Sequence, residues 1–227
     1  MISDLLSDAE IINAWHANAT PWTTAVRSGD IESRRLVTDD AILDAVLSQS
    51  PQSVLDLGCG EGWLARALSF RGIRVIGIDV VPELIEQAQS AGGGDFRVAS
   101  YEDVAEGKLG IAIDVVVCNF SLIGKESVDG IIASAKSMLR PAGAFIVQTL
   151  HPLIACGDQP YADGWRPGSW AGFSDDFVRP APWYFRTVET WTRLFEQSGL
   201  DMKEVREPLH PNTGKPASIL FIAGVAC

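Results

Sequence analysis

The sequence predicts an α/β protein in which a mostly parallel sheet is covered by helices on both faces. The main observation is that short runs rich in β-branched residues alternate with helical stretches between residues 51 and 150. A glycine-rich loop after the first of these runs supports the same class. The 227 residues, 47% of them hydrophobic, are enough to form one well-packed domain.

Two helices are predicted before the first strand. Apolar residues recur at helical spacing within residues 4–17. We expect a second helix to begin after Thr38, whose hydroxyl can cap its N-terminus, and to end before Pro51.

From Pro51 onward, predicted strands and helices alternate. The predicted strands are residues 53–57, 74–78, 96–99, 113–118 and 143–150. The predicted helices are residues 63–69, a helix with Pro82 in its first turn, and residues 131–139. Helices placed between successive strands favour parallel pairing of those strands.

The pattern changes after Leu150. Residues 151–186 contain five prolines and eight of the 19 aromatic residues. So long a loop with so many aromatic residues indicates an ordered functional insertion rather than a disordered segment. A helix is predicted over residues 188–197. Because the link between strands 202–206 and 219–225 is too short for a covering helix, these strands are predicted to be antiparallel neighbours.

The charge of the chain narrows the classes of partner. It has 29 acidic and 18 basic residues, a net charge of −11, which argues against nucleic acid or an anionic membrane as a partner. The first residues lack the positive charge of a signal peptide, and the four cysteines form no CxxC pair. We therefore expect a reduced, cytoplasmic protein without a metal site, and the oligomeric state stays open.

The most informative segment reads Val-Leu-Asp-Leu-Gly-Cys-Gly-Glu-Gly over residues 54–62, between a predicted strand and a predicted helix. Glycines in this position let a ligand approach the backbone closely. Asp79 ends the next strand, 17 residues after this segment, where a carboxylate can bind both hydroxyls of a ribose. The two signals together predict an adenosine-containing ligand at the carboxyl edge of the sheet.

The spacing and charge of this loop distinguish between two such ligands. Trp63 stands where a dinucleotide fingerprint has its third glycine. Asp56 and Glu61 flank the loop, and carboxylates there would repel the pyrophosphate of NAD(P). The same carboxylates suit the sulfonium and ammonium groups of S-adenosylmethionine, which we therefore expect as the cofactor.

The segment resembles motif I of class I S-adenosylmethionine-dependent methyltransferases, and the order of elements over residues 38–150 and 188–225 is similar to that family. The resemblance implies a three-layer, Rossmann-like α/β fold with a seven-stranded, mostly parallel sheet whose last strand is antiparallel. We expect one methyltransferase domain over residues 1–227. Its predicted parts are an N-terminal helical lid (1–37), a cofactor-binding core (38–150), an aromatic-rich substrate-side insertion after the fifth strand (151–186), and a closing helix and hairpin (187–227).

The resemblance also implies a set of cofactor-binding residues. They are Asp56, Gly58, Cys59, Gly60, Asp79, Val80, Ser100, Tyr101, Glu102, Asn119 and Phe120. In this set Gly58 and Gly60 would cradle the methionine part of the cofactor. Asp56 would reach its ammonium group through water, and Asp79 would hold the ribose with Val80 beside the adenine.

The chain departs from the family pattern after the third strand. Ser100 stands where the family usually has an aspartate that accepts a hydrogen bond from the adenine amino group. The Ser100 hydroxyl can still accept one hydrogen bond, the backbone N–H of Tyr101 can still donate to the ring, and Glu102 could substitute for the missing carboxylate. Asn119 and Phe120, at the end of the fourth strand, would border the methyl group.

A base is useful for methyl transfer because a hydroxyl or ammonium acceptor must lose a proton. His151, at the end of the fifth strand, is the predicted general base, and His210 is the second candidate. The alternative for His151 is a structural role, in which it caps the strand or bonds to the backbone.

Three further groups of residues are expected around the acceptor. The aromatic residues of the insertion would give flat walls for a planar acceptor or a cation, or would pack the insertion onto the sheet. Trp22 or Arg27 is expected near the methionine end of the cofactor. A solvated surface position is expected for the arginines of the insertion, with a substrate carboxylate as the alternative partner. These arginines are Arg166, Arg179 and Arg186.

Together these observations predict an enzyme that transfers a methyl group from S-adenosylmethionine to a small organic acceptor, with oxygen or nitrogen ahead of carbon as the methylated atom. The alternatives are an S-adenosylmethionine-binding interaction protein without catalysis and, less favoured by the loop, an NAD(P)-dependent oxidoreductase. A nucleic-acid target is disfavoured by charge, and also because Phe-Ser-Leu rather than Pro-Pro and an aromatic residue follows Asn119.

Overall fold

A computed structural model describes residues 6–225 of the chain. The strands are β1 (Ser53–Leu57), β2 (Arg74–Asp79), β3 (Asp95–Val98), β4 (Ile113–Asn119), β5 (Leu139–Thr149), β6 (Gly164–Arg166), β7 (Trp183–Phe185), β8 (Leu200–Arg206) and β9 (Ile219–Val225). The helices are α1 (Asp8–Ser28), α2 (Asp39–Leu47), α3 (Trp63–Ser69), α4 (Pro82–Ala91), α5 (Tyr101–Ala105), α6 (Glu126–Ala133), α7 (Ala135–Met138), α8 (Pro152–Ala155) and α9 (Val188–Gln197).

The main sheet has seven strands in the order β3-β2-β1-β4-β5-β9-β8. Strands β1 to β5 pair in parallel, whereas β9 runs antiparallel to both of its neighbours, β5 and β8. The predicted fold class, including the antiparallel last strand, is confirmed. In such a sheet the carboxyl ends of β2, β1, β4 and β5 lie along one edge, where ligands bind in open α/β folds.

The core lies on both faces of this sheet because side chains alternate along each strand. On β1, Leu55 and Leu57 join the apolar cluster that includes residues of α6 and α9. Val54 belongs to the opposite cluster, which includes residues of α2, α3 and α4. Fully buried strands of this kind read as continuous apolar runs, which is why the sequence signals them so clearly.

Helix α1 is longer than the predicted helix over residues 4–17, of which residues 4 and 5 lie outside the described part. It continues through Pro21 to Ser28, although proline lacks the N–H that a helix interior uses. Trp15 and Trp22, seven positions apart, therefore lie near each other on one face, with their ring centroids 5.1 Å apart. Contacts of this face with the rest of the protein, described below, outweigh the local cost of the proline.

The predicted cap at Thr38 is wrong. One π-helical turn, Arg34–Thr38, leads directly into α2, so the backbone is already helical at Thr38 and its side chain makes no capping hydrogen bond. The Thr38 hydroxyl is buried and has no partner among the described residues.

The bounds of the elements around the fifth strand also differ from the prediction. The predicted helix over residues 131–139 is divided into α6 and α7 and ends at Met138. Strand β5 begins at Leu139, where it pairs with Ile113 of β4, four positions before the predicted start at residue 143.

The insertion contains the short helix α8 and the two-stranded sheet of β6 and β7, in which Trp165 lies opposite Tyr184. Within residues 6–225, no helix has the length and apolar character that crossing a membrane requires.

Candidate active site

A cavity of about 570 Å³ opens at the carboxyl edge of the sheet. Its wall includes the glycine loop after β1, Asp79 at the end of β2, Asn119 at the end of β4, and Leu150 after β5. Residues of α1 and of the insertion complete it; they include Ile11, Trp15, Trp22, Trp170, Phe173 and Trp183. One continuous space therefore joins the predicted cofactor loop to the aromatic insertion.

The glycine loop is held in place by backbone hydrogen bonds to the neighbouring strand. The N–H groups of Gly58 and Cys59 both donate to the carbonyl of Ile78, each at 2.8 Å. Gly58 has a φ of +73°, and a Cβ built on it would stand 2.4 Å from the Cβ of Ser121. Only glycine fits this position, which brings the loop backbone against the turn that follows β4.

Asp56 lies beneath this loop and is 2% exposed. Its Oδ2 atom is buried and has no hydrogen-bond partner among the described residues. Burial, and secondly the charge of Asp79, raise the pKa of Asp56 to about 7. An unpaired carboxyl oxygen in such a place fits a ligand that brings positive charge, which is the character of the methionine end of S-adenosylmethionine. Asp56 does not itself line the cavity.

Asp79 lies on the cavity wall in a fixed orientation. Its Oδ1 accepts from the N–H of Val81 and its Oδ2 from the N–H of Gly60, both at 3.0 Å. Burial raises the pKa of Asp79, against the effect of these backbone donors. The carboxyl group thus ties the glycine loop to β2 and keeps further lone pairs for a ligand such as a ribose.

Glu61 has a different role from the one its position in the loop suggested. It is 1% exposed and binds the guanidinium of Arg66 at 2.6 Å and that of Arg27 at 2.9 Å. Its charge is therefore offset inside the protein, and the attraction of a cation is left to Asp56 and Asp79. The expectation that Arg27 lies near the methionine end is not supported, since its side chain is turned to Glu61 and to Gln87.

The segment after β3 starts a short helix. The Ser100 hydroxyl accepts from the N–H of Asp103 at 3.2 Å, and the Asp103 carboxylate accepts from the N–H of Ser100, which forms a capping box. The Tyr101 hydroxyl donates to the carbonyl of Ser121 at 3.2 Å. Ser100, Tyr101 and Glu102 all line the cavity.

The turn after β4 is strained at the cavity. Phe120 has a φ of +54°, which a non-glycine residue rarely adopts, and its N–H donates to the carbonyl of Gln148. The Ser121 hydroxyl donates to the carbonyl of Leu57 at 2.6 Å, which anchors the turn to β1. Asn119, Phe120 and Ser121 line the cavity.

Helix α1 and the insertion close the cavity together. Trp15 contacts both Trp22 and Trp170 edge to face, with centroid distances of 5.1 and 5.9 Å. The Trp22 Nε1 lies 3.6 Å from where a Cβ on Gly60 would stand. Trp22 is thus beside the cofactor loop, in the place that the sequence prediction gave to Trp22 or Arg27.

The N-terminus of α1 is fixed by Asp8. One oxygen of its carboxylate accepts from the N–H of Lys125 and the other from the N–H of Ser127, both at 2.7 Å, at the start of α6. Asp8 itself lies on the cavity wall. An acidic side chain at a helix N-terminus is stabilising, so this contact also stabilises α6.

The two predicted catalytic histidines do not line the cavity. His151 is 4% exposed, its Nε2 lies 2.9 Å from Glu207 Oε1, and its Nδ1 is buried without a partner among the described residues. His210 accepts from the N–H of Asn212 in the link between β8 and β9. The geometry gives no support to either histidine as the base, and both roles stay predictions.

The three arginines of the insertion bond within the protein. Arg166 and Arg186 are buried, which contradicts the surface position expected for them, and Arg186 pairs with Asp129 at 2.8 Å. Arg179 is half exposed and binds Glu10 of α1 at 2.6 Å.

Arg34 is a cavity residue that the sequence did not indicate. Its Nε donates to Asp39 at 3.0 Å and its guanidinium lies 4.8 Å from the ring centroid of Trp63. The side chain lines the cavity, and its two Nη groups donate to no described residue. The pair of basic residues at 34 and 35 was visible in the sequence, but only the π-helical turn decides which of them faces the cavity.

Comparison with known proteins identifies the family. A family model described as a methyltransferase domain matches residues 32–205. An O-methyltransferase of ubiquinone biosynthesis from Xanthomonas axonopodis pv. citri is 29% identical over 178 residues, which cover 74% of this chain and 70% of that protein. Its counterpart from Xanthomonas campestris pv. campestris (strain B100) is 37% identical over 103 residues, 43% of each chain.

Solved structures show the same fold. An S-adenosylmethionine-dependent methyltransferase from Mesorhizobium loti has a TM-score of 0.60 at 21% identity and covers 79% of this chain and 95% of that one. The 1,6-didemethyltoxoflavin-N1-methyltransferase of Burkholderia thailandensis, solved with S-adenosylhomocysteine, has a TM-score of 0.61 at 17% identity, over 93% of this chain and 88% of that one.

The chain therefore belongs to the methyltransferase domain family, and its predicted class, a class I S-adenosylmethionine-dependent methyltransferase, is confirmed.

Proposed function

We propose that the protein transfers a methyl group from S-adenosylmethionine to a small planar organic acceptor, with oxygen as the atom methylated. The observation that carries the proposal is the single cavity that connects the glycine loop and Asp79 to the aromatic residues of α1 and the insertion. Its volume of about 570 Å³ falls within the range of pockets that enclose small ligands. The relatives named as O-methyltransferases support oxygen as the acceptor atom.

The cofactor half of the cavity would bind S-adenosylmethionine, which supplies an electrophilic methyl group when bound. Asp79 would accept from the ribose hydroxyls, and the bare backbone at Gly58 and Gly60 would admit the methionine part. Asp56 would balance its ammonium group through water. The two Nη groups of Arg34, which donate to no described residue, would bind the carboxylate of the cofactor's methionine part.

The acceptor half would bind by shape and exclusion of water. Trp15, Trp170, Phe173 and Trp183 present flat apolar surfaces, which suit a planar ring. A wall of this kind holds the acceptor in line with the methyl group, and positioning supplies much of the rate in a displacement reaction.

Calorimetry with S-adenosylhomocysteine and with NADPH, followed by a methyl-transfer assay on a panel of small phenols and aromatic amines, tests the proposal. We expect S-adenosylhomocysteine to bind, NADPH not to bind, and Asp79→Asn to weaken S-adenosylhomocysteine at least about tenfold. Asp95→Asn is the matched control, because Asp95 begins the neighbouring strand and, within residues 6–225, its carboxylate pairs with Arg97 alone. Tight binding of NADPH would contradict the assignment of S-adenosylmethionine as the cofactor. Binding of S-adenosylhomocysteine without transfer to any acceptor would favour a non-catalytic protein.

A further inference from the structure

We infer that Asn119 selects an oxygen nucleophile over a nitrogen nucleophile, through an amide N–H that buried Gln148 keeps directed into the cavity. The inference rests on the proposed function and adds to it the residues that choose the acceptor atom. Asn119 would contact the acceptor, and Gln148, which does not line the cavity, would be a positioning residue.

A chain of hydrogen bonds around the buried Gln148 amide connects these residues. Gln148 on β5 is 0% exposed, and its Nε2 donates to the carbonyl of Thr38 at 2.9 Å and to Asn119 Oδ1 at 2.7 Å. Its Oε1 accepts from the hydroxyl of Ser218 at 3.2 Å. The Gln148 amide has two N–H groups and two oxygen lone pairs, and three of these four positions are used.

The Thr38 carbonyl decides the orientation of both amides. A backbone carbonyl can only accept, so the atom of Gln148 that faces it must be the nitrogen. The second hydrogen of that nitrogen then needs an acceptor, and the atom of Asn119 that faces it must be Oδ1. The nitrogen of the Asn119 amide is therefore on the opposite side.

This nitrogen is accessible and belongs to a residue of the cavity wall. Asn119 lines the cavity, and its Nδ2 donates to no described residue and is not among the buried atoms that lack a partner. Along the edge of the sheet, β4 lies between β1, which carries the glycine loop, and β5, which leads into the insertion. Asn119 thus stands between the cofactor half and the acceptor half of the cavity.

An N–H donor at this position discriminates between nucleophiles by the number of lone pairs on the attacking atom. It repels an ammonium group, and a sulfonium methyl offers it nothing to bind. A neutral amine has a single lone pair, which it must use to attack the methyl carbon. A hydroxyl oxygen has two, so it can attack with one and accept from Asn119 with the other.

The transfer step balances on that basis. The hydroxyl of the acceptor gives its proton to water, and an oxygen lone pair forms the new bond to the methyl carbon. The carbon–sulfur bond breaks and its electron pair stays on sulfur, which gives S-adenosylhomocysteine. The Asn119 N–H stabilises the oxygen as its proton leaves, and neither amide changes its covalent state.

Two isosteric variants test the inference with matched probes, phenol and 1-naphthol against aniline and 1-naphthylamine. Asn119→Asp replaces the cavity donor by an acceptor, and Gln148→Glu removes the donor that fixes Asn119, so that its amide turns over. We expect each variant to lower the ratio of oxygen to nitrogen methylation at least about tenfold, because a buried site discriminates strongly through its hydrogen bonds. The affinity for S-adenosylhomocysteine, measured by calorimetry, should stay within about threefold of the wild type.

Gln89→Glu is the control for Gln148→Glu. The Gln89 amide also donates to a backbone carbonyl, that of Phe96, but it lies away from the cavity, so this variant should keep the wild-type ratio. If Gln148→Glu does not fold, Gln148→Met takes its place as an uncharged variant that frees the Asn119 amide, and it should lower the ratio in the same direction.

Three results would overturn the inference. One is an unchanged ratio in Asn119→Asp and in the folded Gln148 variant. Another is loss of S-adenosylhomocysteine affinity in Asn119→Asp with the ratio retained, which would assign the donor to the cofactor. Absence of transfer to all four probes by the wild type would overturn the proposed function and the inference with it, and is distinguished from the other two by that complete lack of activity.

Discussion

Asn18 of α1 and Val178 of the insertion are joined by two hydrogen bonds across 160 positions of sequence. Asn18 Nδ2 donates to the Val178 carbonyl at 2.7 Å, and the Val178 N–H donates to Asn18 Oδ1 at 2.9 Å. Asn18 is 0% exposed. A side-chain amide thus pairs with a backbone amide as a neighbouring strand would, and it links the two walls of the cavity.

Removal of this pair should loosen both walls. Asn18→Ala leaves the Val178 N–H and carbonyl without partners, so we expect the free energy of unfolding in urea to fall by about 1–3 kcal/mol. Limited proteolysis within residues 151–186 should become several times faster, roughly in proportion to local opening. Asn13→Ala, on an exposed position of the same helix, should change neither measurement. Equal proteolysis of Asn18→Ala and the wild type would show that the pair does not hold the insertion.

Bound ligand should protect α1 from proteolysis. If residues 1–37 act as a lid, S-adenosylhomocysteine should slow proteolysis of α1 in the wild type. The ligand would bind the closed state and so raise its population. Equal cleavage of α1 with and without S-adenosylhomocysteine, at a concentration that calorimetry shows to be saturating, would count against a lid.

Asp56 should make the ligand-free protein less stable as the pH rises. Burial raises the pKa of Asp56 to about 7, from an ordinary value of 3.8. Between these values the unfolded chain loses a proton that the folded protein keeps, so stability falls from pH 4 to pH 7 and then levels off. Asp56→Asn should remove this part of the slope, at most about 4 kcal/mol, in urea titrations at several pH values. Parallel slopes for the two proteins would contradict the assignment.

Two glycines with similar backbone angles should respond differently to alanine. Gly58 has a φ of +73° and meets Ser121, whereas Gly72 has a φ of +82° and open space around it. Gly72→Ala should therefore cost only the backbone strain, about 1 kcal/mol, and leave S-adenosylhomocysteine binding unchanged. Gly58→Ala should cost more and lower that affinity at least about tenfold. Thermal unfolding and calorimetry on the two variants measure both effects, and equal costs would mean that the close approach at Ser121 is easily relieved.

Glu61 should matter for stability. Glu61→Gln removes the buried charge that pairs with Arg27 and Arg66, so we expect the free energy of unfolding to fall by about 2–4 kcal/mol. The loss is moderate because the two arginine side chains are 41% and 27% exposed. Glu86→Gln, at an exposed position of α4, is the control and should change stability little. An unchanged stability of Glu61→Gln would show that water screens both ion pairs.

The sequence predicted best what neighbouring residues decide. Helices α3 and α9 have their predicted bounds because apolar spacing and flanking glycines or threonine set them locally. The glycine loop and Asp79 were recognisable as well, since the loop backbone needs glycine and the carboxylate ends a buried strand. These features are also enough to indicate the family.

The features of the site that the sequence does not predict depend on contacts between residues far apart in the sequence. In the sequence, Glu61 and Asp56 are equal candidates for a carboxylate that faces a ligand, because Arg27 and Arg66 reach Glu61 only in the folded chain. His151 lies two residues beyond the end of β5, at the start of α8, and its ring faces Glu207 rather than the cavity. No local pattern encodes which way such a side chain turns.

The carboxylate of Asp8, bound to the start of α6 at the cavity wall, has a practical consequence for preparing the protein. An affinity tag attached directly ahead of this residue would start beside the chamber where catalysis is to be measured. Strand β9 runs antiparallel to β5, so Val225 lies at the far edge of the sheet. The end of β9 is therefore the better attachment point for a purification handle.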